Sequence, residues 1–142
     1  MRILVVEDDA ILGLATTAVL EDTGHVISGP AFDVAGALEV AANTRSDLAL
    51  VDINLAGNDE GIGLARELRD KFGIPTLFVS GQPAVARANM DVALGILNKP
   101  FAAEDLVATA RVAEALLAGN CPLGLPPALE IFVAIGKESS RT

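Results

Sequence analysis

The sequence predicts an α/β domain built on a five-stranded parallel sheet with helices on both faces. Five short apolar runs, rich in Val, Ile and Leu, alternate with longer segments of helical period. These runs lack polar alternation, which is how strands buried on both faces read. The length of 142 residues, 51% of them hydrophobic, suits one domain with a sizeable core.

Taken in order, the predicted strands are Arg2 to Val6, His25 to Ser28, Asp47 to Val51, Thr76 to Val79 and Leu94 to Leu97. Between them Ile11, Ala15, Ala18 and Val19 fall at helical spacing, as do Val34, Leu38 and Ala41, then Ile62, Ala65, Leu68 and Phe72. Asp33 is placed to cap the second helix, while Gly61 and Gly63 make a loose start for the third. Pro83 to Met90 is a short, weakly patterned helix. The last long helix runs from about Ala103 to Leu117, with Glu104 and Asp105 at the positive end of its dipole and a stop at Ala118-Gly119-Asn120. The expected domain is therefore residues 1–119. Residues 120–142 form a Pro-rich tail, too short for an output domain. Within it, Ala128 to Ile135 is an apolar octet of ambiguous period that either packs back on the domain or meets a second subunit.

Charge and composition exclude several classes. Ten Lys+Arg against 19 Asp+Glu give a net charge of -9, which disfavours binding to a phosphate backbone and suits cations or basic partners. The longest uncharged stretches are broken by Pro and Gly and fall short of the roughly 18 residues of a membrane span. MRILVVEDD has too short an apolar run for a secretory signal, so the expected location is cytoplasmic. Cys121 has no partner for a disulfide, and His25 reads as structural.

Strands wound with one handedness present their C-terminal ends at one edge, where ligands bind. The first strand runs into Glu7, Asp8 and Asp9, the third ends at Asp52, the fourth at Ser80, and the fifth at Asn98 and Lys99. Singly, each has an ordinary reading: a solvated acidic loop, a turn serine, an exposed lysine. Asp52 is the odd one, because a carboxylate directly after LALV is costly unless paired or metal-bound. Three convergent carboxylates repel one another, and a hard divalent cation with oxygen ligands relieves the strain. With no cysteine there and His25 at the opposite strand end, magnesium fits better than zinc. Magnesium beside an ionised aspartate invites phosphoryl transfer, with the carboxylate as nucleophile and with Lys99 and Ser80 contacting the phosphoryl oxygens.

The ordered strings ILVVEDD, DLALVDINL, IPTLFVSG and LNKPF resemble the receiver domain of two-component response regulators over Met1 to about Ala118. The resemblance implies a flavodoxin-like three-layer sandwich with strand order 2-1-3-4-5. It implies that Asp52 accepts a phosphoryl group from a histidine kinase or histidine phosphotransfer protein. It further implies that Asp8, Asp52 and the Asn54 carbonyl bind Mg2+, that Glu7 acts through a metal-bound water, and that Ser80 and Lys99 hold the phosphoryl group. The Lys99-Pro100 bond is expected to be cis. The resemblance also implies that Asn54 and Gln82 flank the route of the attacking water, where their amides would modulate the lifetime of the aspartyl phosphate.

Two departures matter. Receivers carry Tyr or Phe three residues before the lysine, and Ile96 stands there, which places the chain in the subgroup lacking the aromatic switch residue. The alternative is that the Ser80-Gly81-Gln82-Pro83 loop and the short helix reorganise together. The second departure is the tail, which makes a single-domain regulator the expected role. It would act on an unidentified downstream protein or as a homodimer through the tail or through the face of the fourth helix, fifth strand and fifth helix. It is expected to have no enzymatic activity beyond its own phosphorylation and dephosphorylation. An aspartyl-phosphate phosphatase is disfavoured because Asn54 stands where a proton-shuttling aspartate is needed. A pseudo-receiver that only binds proteins is disfavoured by the complete set of acids, Ser80 and Lys99.

Overall fold

The computed structural model of the chain describes residues 1–122 and 124–132. Six strands form one sheet: β1 (Arg2–Val6), β2 (Val26–Ala31), β3 (Leu48–Asp52), β4 (Thr76–Ser80), β5 (Gly95–Asn98) and β6 (Leu129–Ile131). Between and after the first five lie α1 (Ala10–Asp22), α2 (Val34–Asn43), α3 (Glu60–Phe72), α4 (Pro83–Arg87) and α5 (Ala103–Leu117). The sheet order is β2-β1-β3-β4-β5-β6. The first five strands pair in parallel, as expected, but β6 is antiparallel to β5.

The count of five strands is therefore corrected to six. The sixth comes from the tail, whose apolar octet packs back in part: Leu129, Glu130 and Ile131 face Leu97, Ile96 and Gly95. An antiparallel strand can follow α5 without another crossover helix, which a short tail can provide. Residues 133–135 of that octet lie outside the described residues.

Two apolar layers flank the sheet. Leu4, Val6, Ala49, Val51, Phe78 and Ile96 face α2, α3 and α4, whereas Ile3, Val5, Leu48, Leu50, Leu77 and Leu97 pack with Leu20 of α1 and with Leu106, Ala110 and Ala113 of α5. Every residue of β3 and β4 is buried, which accounts for their unbroken apolar character. β2 differs from expectation. It is an edge strand with a half-exposed pattern, and it runs on through Gly29-Pro30 to Ala31. Proline inside a strand is tolerated at an edge, so β2 extends past the expected end at Ser28.

The helix ends follow local chemistry. The Asp9 carboxylate accepts from the Ile11 and Leu12 N–H groups, so this acid caps α1. Asp33 caps α2 by accepting from Gly36 N at 2.7 Å, as its position suggested. Gly73 closes α3 with a φ of +65°, the left-handed conformation that favours glycine. Asp105 accepts from Ala102 N at 2.9 Å at the start of α5. α4 is a single short stretch followed by a 3-10 turn over Met90–Val92, matching its weak pattern. No described helix is long and apolar enough to cross a membrane.

Candidate functional site

The C-terminal ends of β1, β3, β4 and β5 bring together the residues that the sequence singled out. Glu7 follows β1, Asp52 is the last residue of β3, Ser80 is the last of β4, and Lys99 follows β5. Glu7, Asp8 and Asp52 each offer a carboxylate oxygen within 4.8 Å of the others. Glu7 and Asp52 are buried, at 5% and 6% exposure, while Asp8 reaches solvent.

Lys99 is the counter-charge. Its Nζ donates to Glu7 Oε1 at 3.0 Å and to Asp52 Oδ2 at 3.5 Å. The Lys99-Pro100 peptide bond is cis. The other Asp52 oxygen accepts from Asn54 N at 3.1 Å, and the second Glu7 oxygen accepts from Asp9 N at 3.1 Å. With all groups ionised, three carboxylates and one ammonium leave a formal surplus of two negative charges in a largely buried cluster. Burial is the main reason that the Glu7 carboxyl is pushed up to about 7, and the neighbouring Asp52 charge adds to it; the Asp9 amide and Lys99 oppose the rise. Burial pulls Lys99 down, but its contacts with Glu7 and Asp52 outweigh this and raise it overall. A divalent cation fits this donor set: it matches the surplus charge and binds through hard oxygen ligands.

The remaining predicted residues divide. The Ser80 hydroxyl lies at the same edge but accepts from Gln82 N at 2.9 Å, while its carbonyl accepts from Lys99 N at 2.9 Å. The Asn54 side-chain oxygen is buried and has no partner among the described residues, so its amide has capacity to spare for a ligand. Gln82 is exposed and precedes α4. Ile96 is not part of the edge. It is fully buried in the layer beneath α4, with Ala86 and Phe132 in the same apolar cluster.

Sequence reading missed one positioning residue. A Cβ at Gly61 would overlap the Asp52 carbonyl oxygen, and Gly61 N donates to Ile53 O at 2.8 Å. What looked like a loose helix start is a close approach that holds α3 against the strand end carrying Asp52. Gly63, by contrast, faces open space. Only the adjacency of a glycine to a helix start hinted at this, and that hint applied equally to both.

Comparison with known proteins agrees with this edge. The family model described as the response regulator receiver domain matches residues 3–111. The transcriptional regulatory protein CseB of Streptomyces coelicolor is 36% identical over 118 residues, covering 78% of this chain and 47% of CseB. The transcriptional regulatory protein PdtaR of Mycobacterium tuberculosis is 31% identical over 115 residues, covering 79% of this chain and 56% of PdtaR. The chain thus spans about half the length of these curated relatives. Among solved structures, the receiver domain of NtrX from Brucella abortus superposes with a TM-score of 0.71 at 30% identity, over 78% of this chain and 96% of that one. The chemotaxis response regulator CheY4 of Vibrio cholerae gives 0.69 at 26% identity, over 78% and 95%. The match runs from β1 into α5 and takes in every strand end that carries the acidic cluster, and on it the chain belongs to the response regulator receiver domain family of two-component systems.

Proposed function

We propose that this receiver takes a phosphoryl group onto Asp52 from a phosphohistidine of a histidine kinase or histidine phosphotransfer protein, and that the change alters which proteins it binds. The observation that carries the reading is the environment of Asp52. Its carboxylate is buried at a strand end, held by Asn54 N on one oxygen and facing Lys99 on the other, beside two further acids.

In the transfer, a bond forms between an Asp52 carboxylate oxygen and phosphorus. The bond from phosphorus to the donor imidazole nitrogen breaks, and its electron pair stays on that nitrogen. Magnesium held by Glu7, Asp8, Asp52 and the Asn54 carbonyl would supply charge neutralisation on the phosphoryl oxygens. Asp52 needs no general base, since its ionised carboxylate is already nucleophilic. Lys99 supplies a point charge to one phosphoryl oxygen, and Ser80 donates its hydroxyl proton to another once that hydroxyl turns from Gln82 N. With Ile96 locked in the core, the response passes through the loop and short helix from Gly81 to Met90, and these residues carry the largest NMR shifts on phosphorylation. The asparagine amide at 54 and the exposed Gln82 set how fast water removes the group; Gln82→Ala changes the dephosphorylation rate by about tenfold or less. Within these 142 residues the signal leaves by protein contact, in the cytoplasm, without catalysis on an external substrate.

Intact mass after incubation with a small phosphodonor and magnesium tests the reading. One added phosphoryl group on the wild type and none on Asp52→Ala is expected. Addition to both, or to neither, overturns it, and the second outcome leaves a protein-binding module alone.

A further inference from the structure

Residues Ala128 to Phe132 lie along β5 and are held there by three separate features. Asn98 N donates to Ala128 O at 2.8 Å and Phe132 N to Leu94 O at 2.8 Å, one bond at each end of the pairing. Gly95 permits the contact: a Cβ there would overlap the Glu130 carbonyl oxygen and stand 3.0 Å from Ile131 Cα. Finally, Arg87 at the end of α4 makes a bidentate pair with Glu130, at 2.6 Å from Nη2 and 2.9 Å from Nε. Side chains alternate as a strand requires, with Leu129 and Ile131 packed in the α5 layer and Glu130 turned to α4.

Both attachments lead to the acidic edge. Asn98, which also donates from Nδ2 to Ala128 O at 3.2 Å, directly precedes Lys99. Arg87 ends a five-residue helix whose preceding residue, Gln82, donates its N–H to the Ser80 hydroxyl. No side chain caps that helix, and so short a helix does not hold its shape alone. When the Ser80 side chain swings toward a phosphoryl oxygen and its oxygen leaves Gln82 N, the start of the element that carries Arg87 loses one of its hydrogen bonds.

We infer that residues 128–132 are a releasable strap, seated on β5 in the resting protein and freed when Asp52 is phosphorylated, through Ser80, α4, the Arg87–Glu130 pair and the apolar cluster that Ala86 of α4 shares with Phe132. This rests on the proposed role of Asp52 and extends it to the tail. The strand is three residues long, Leu129 is its one buried side chain and its ion pair faces solvent, so it is less firmly held than the five parallel strands.

Hydrogen exchange of the Phe132 amide, followed by NMR on the full chain, reads the strap. Phe132 bonds at the Leu94 end of β5, remote from Lys99, so a change there is not a local response of the site. Beryllofluoride with magnesium serves as the phosphoryl mimic, and its fluorine spectrum reports separately whether it is bound. Exchange at Phe132 is expected to quicken by about tenfold or more in the bound state. Ser80→Ala is expected to quicken it without any mimic, because Gln82 N has lost its acceptor. Gly95→Ala, which displaces the strap directly, supplies the fully released rate. Bound fluoride with Phe132 protection unchanged overturns the strap while leaving the acceptor role of Asp52 intact. Protection unchanged in Ser80→Ala overturns the route through α4. Absence of bound fluoride overturns the acceptor reading and the trigger together.

Discussion

Glu7 and Glu130 each accept from a cation, and pH acts on them in opposite directions. Glu7 beside Lys99 is pushed up to about 7, chiefly by burial. Glu130 beside Arg87 is held below the ordinary glutamate value by that guanidinium. The Arg87–Glu130 contact is the shorter, at 2.6 Å against 3.0 Å, yet it lies in solvent, with side-chain exposures of 54% and 35% against 27% and 6% for Lys99 and Glu7. Burial rather than distance decides what each pair does. In water a close pair is screened and easily exchanged, whereas a buried one constrains every charge near it.

Removing the lysine breaks the comparison most severely. Lys99→Met leaves Glu7 and Asp52 facing each other without their shared donor, and takes the point charge from the phosphoryl oxygens. Phosphorylation of Asp52 by a small donor is expected to slow by about 10²-fold or more, measured as the rate of mass gain. A rate within a few-fold of wild type would show that Lys99 is merely a structural partner of Glu7.

The contrast also tells in the pH dependence of the metal-free protein. A carboxyl raised from 4.5 to about 7 on folding binds its proton more tightly in the folded state. Its contribution to stability is complete below 4.5 and is lost as pH rises toward 7, with a slope of at most about 1.4 kcal/mol per pH unit. Urea unfolding in the presence of a chelator should therefore show a decline between pH 5 and 7 that is absent in Glu7→Gln. An equal decline in both proteins would assign it to other groups.

The two regions were not equally legible in the sequence. The acidic edge was, because strand ends are where apolar runs stop, and Asp52, Ser80 and Lys99 each stand at such a stop. Parallel winding then forces them together whatever the details of packing. The strap was not. ALEI satisfies a strand or a helix equally, and Arg87 and Glu130 are 43 residues apart with nothing local to pair them. Gly95, like Gly61, owes its identity to backbone that approaches from elsewhere in the chain, which no local pattern records. The same holds for Pro30, whose place in β2 makes sense only once β2 is known to be an edge.

The smallest effect is the most discriminating for the comparison. Glu130→Gln removes the charge but keeps a side chain that can still accept from Arg87, so the midpoint of urea unfolding should stay where it is. Exchange of the Phe132 amide should quicken only about two- to threefold, because a solvated ion pair contributes little. Its pH profile should change more clearly. In the wild type Glu130 is held below its ordinary value, so its contribution is present above that value and lost as pH falls through the lowered one, and the strap loosens in acid. In Glu130→Gln that acid-side loosening should vanish, while the Glu7-dependent loss between 4.5 and about 7 persists. A mutation that abolished both, or neither, would mean that the two glutamates do not act on separate parts of the molecule.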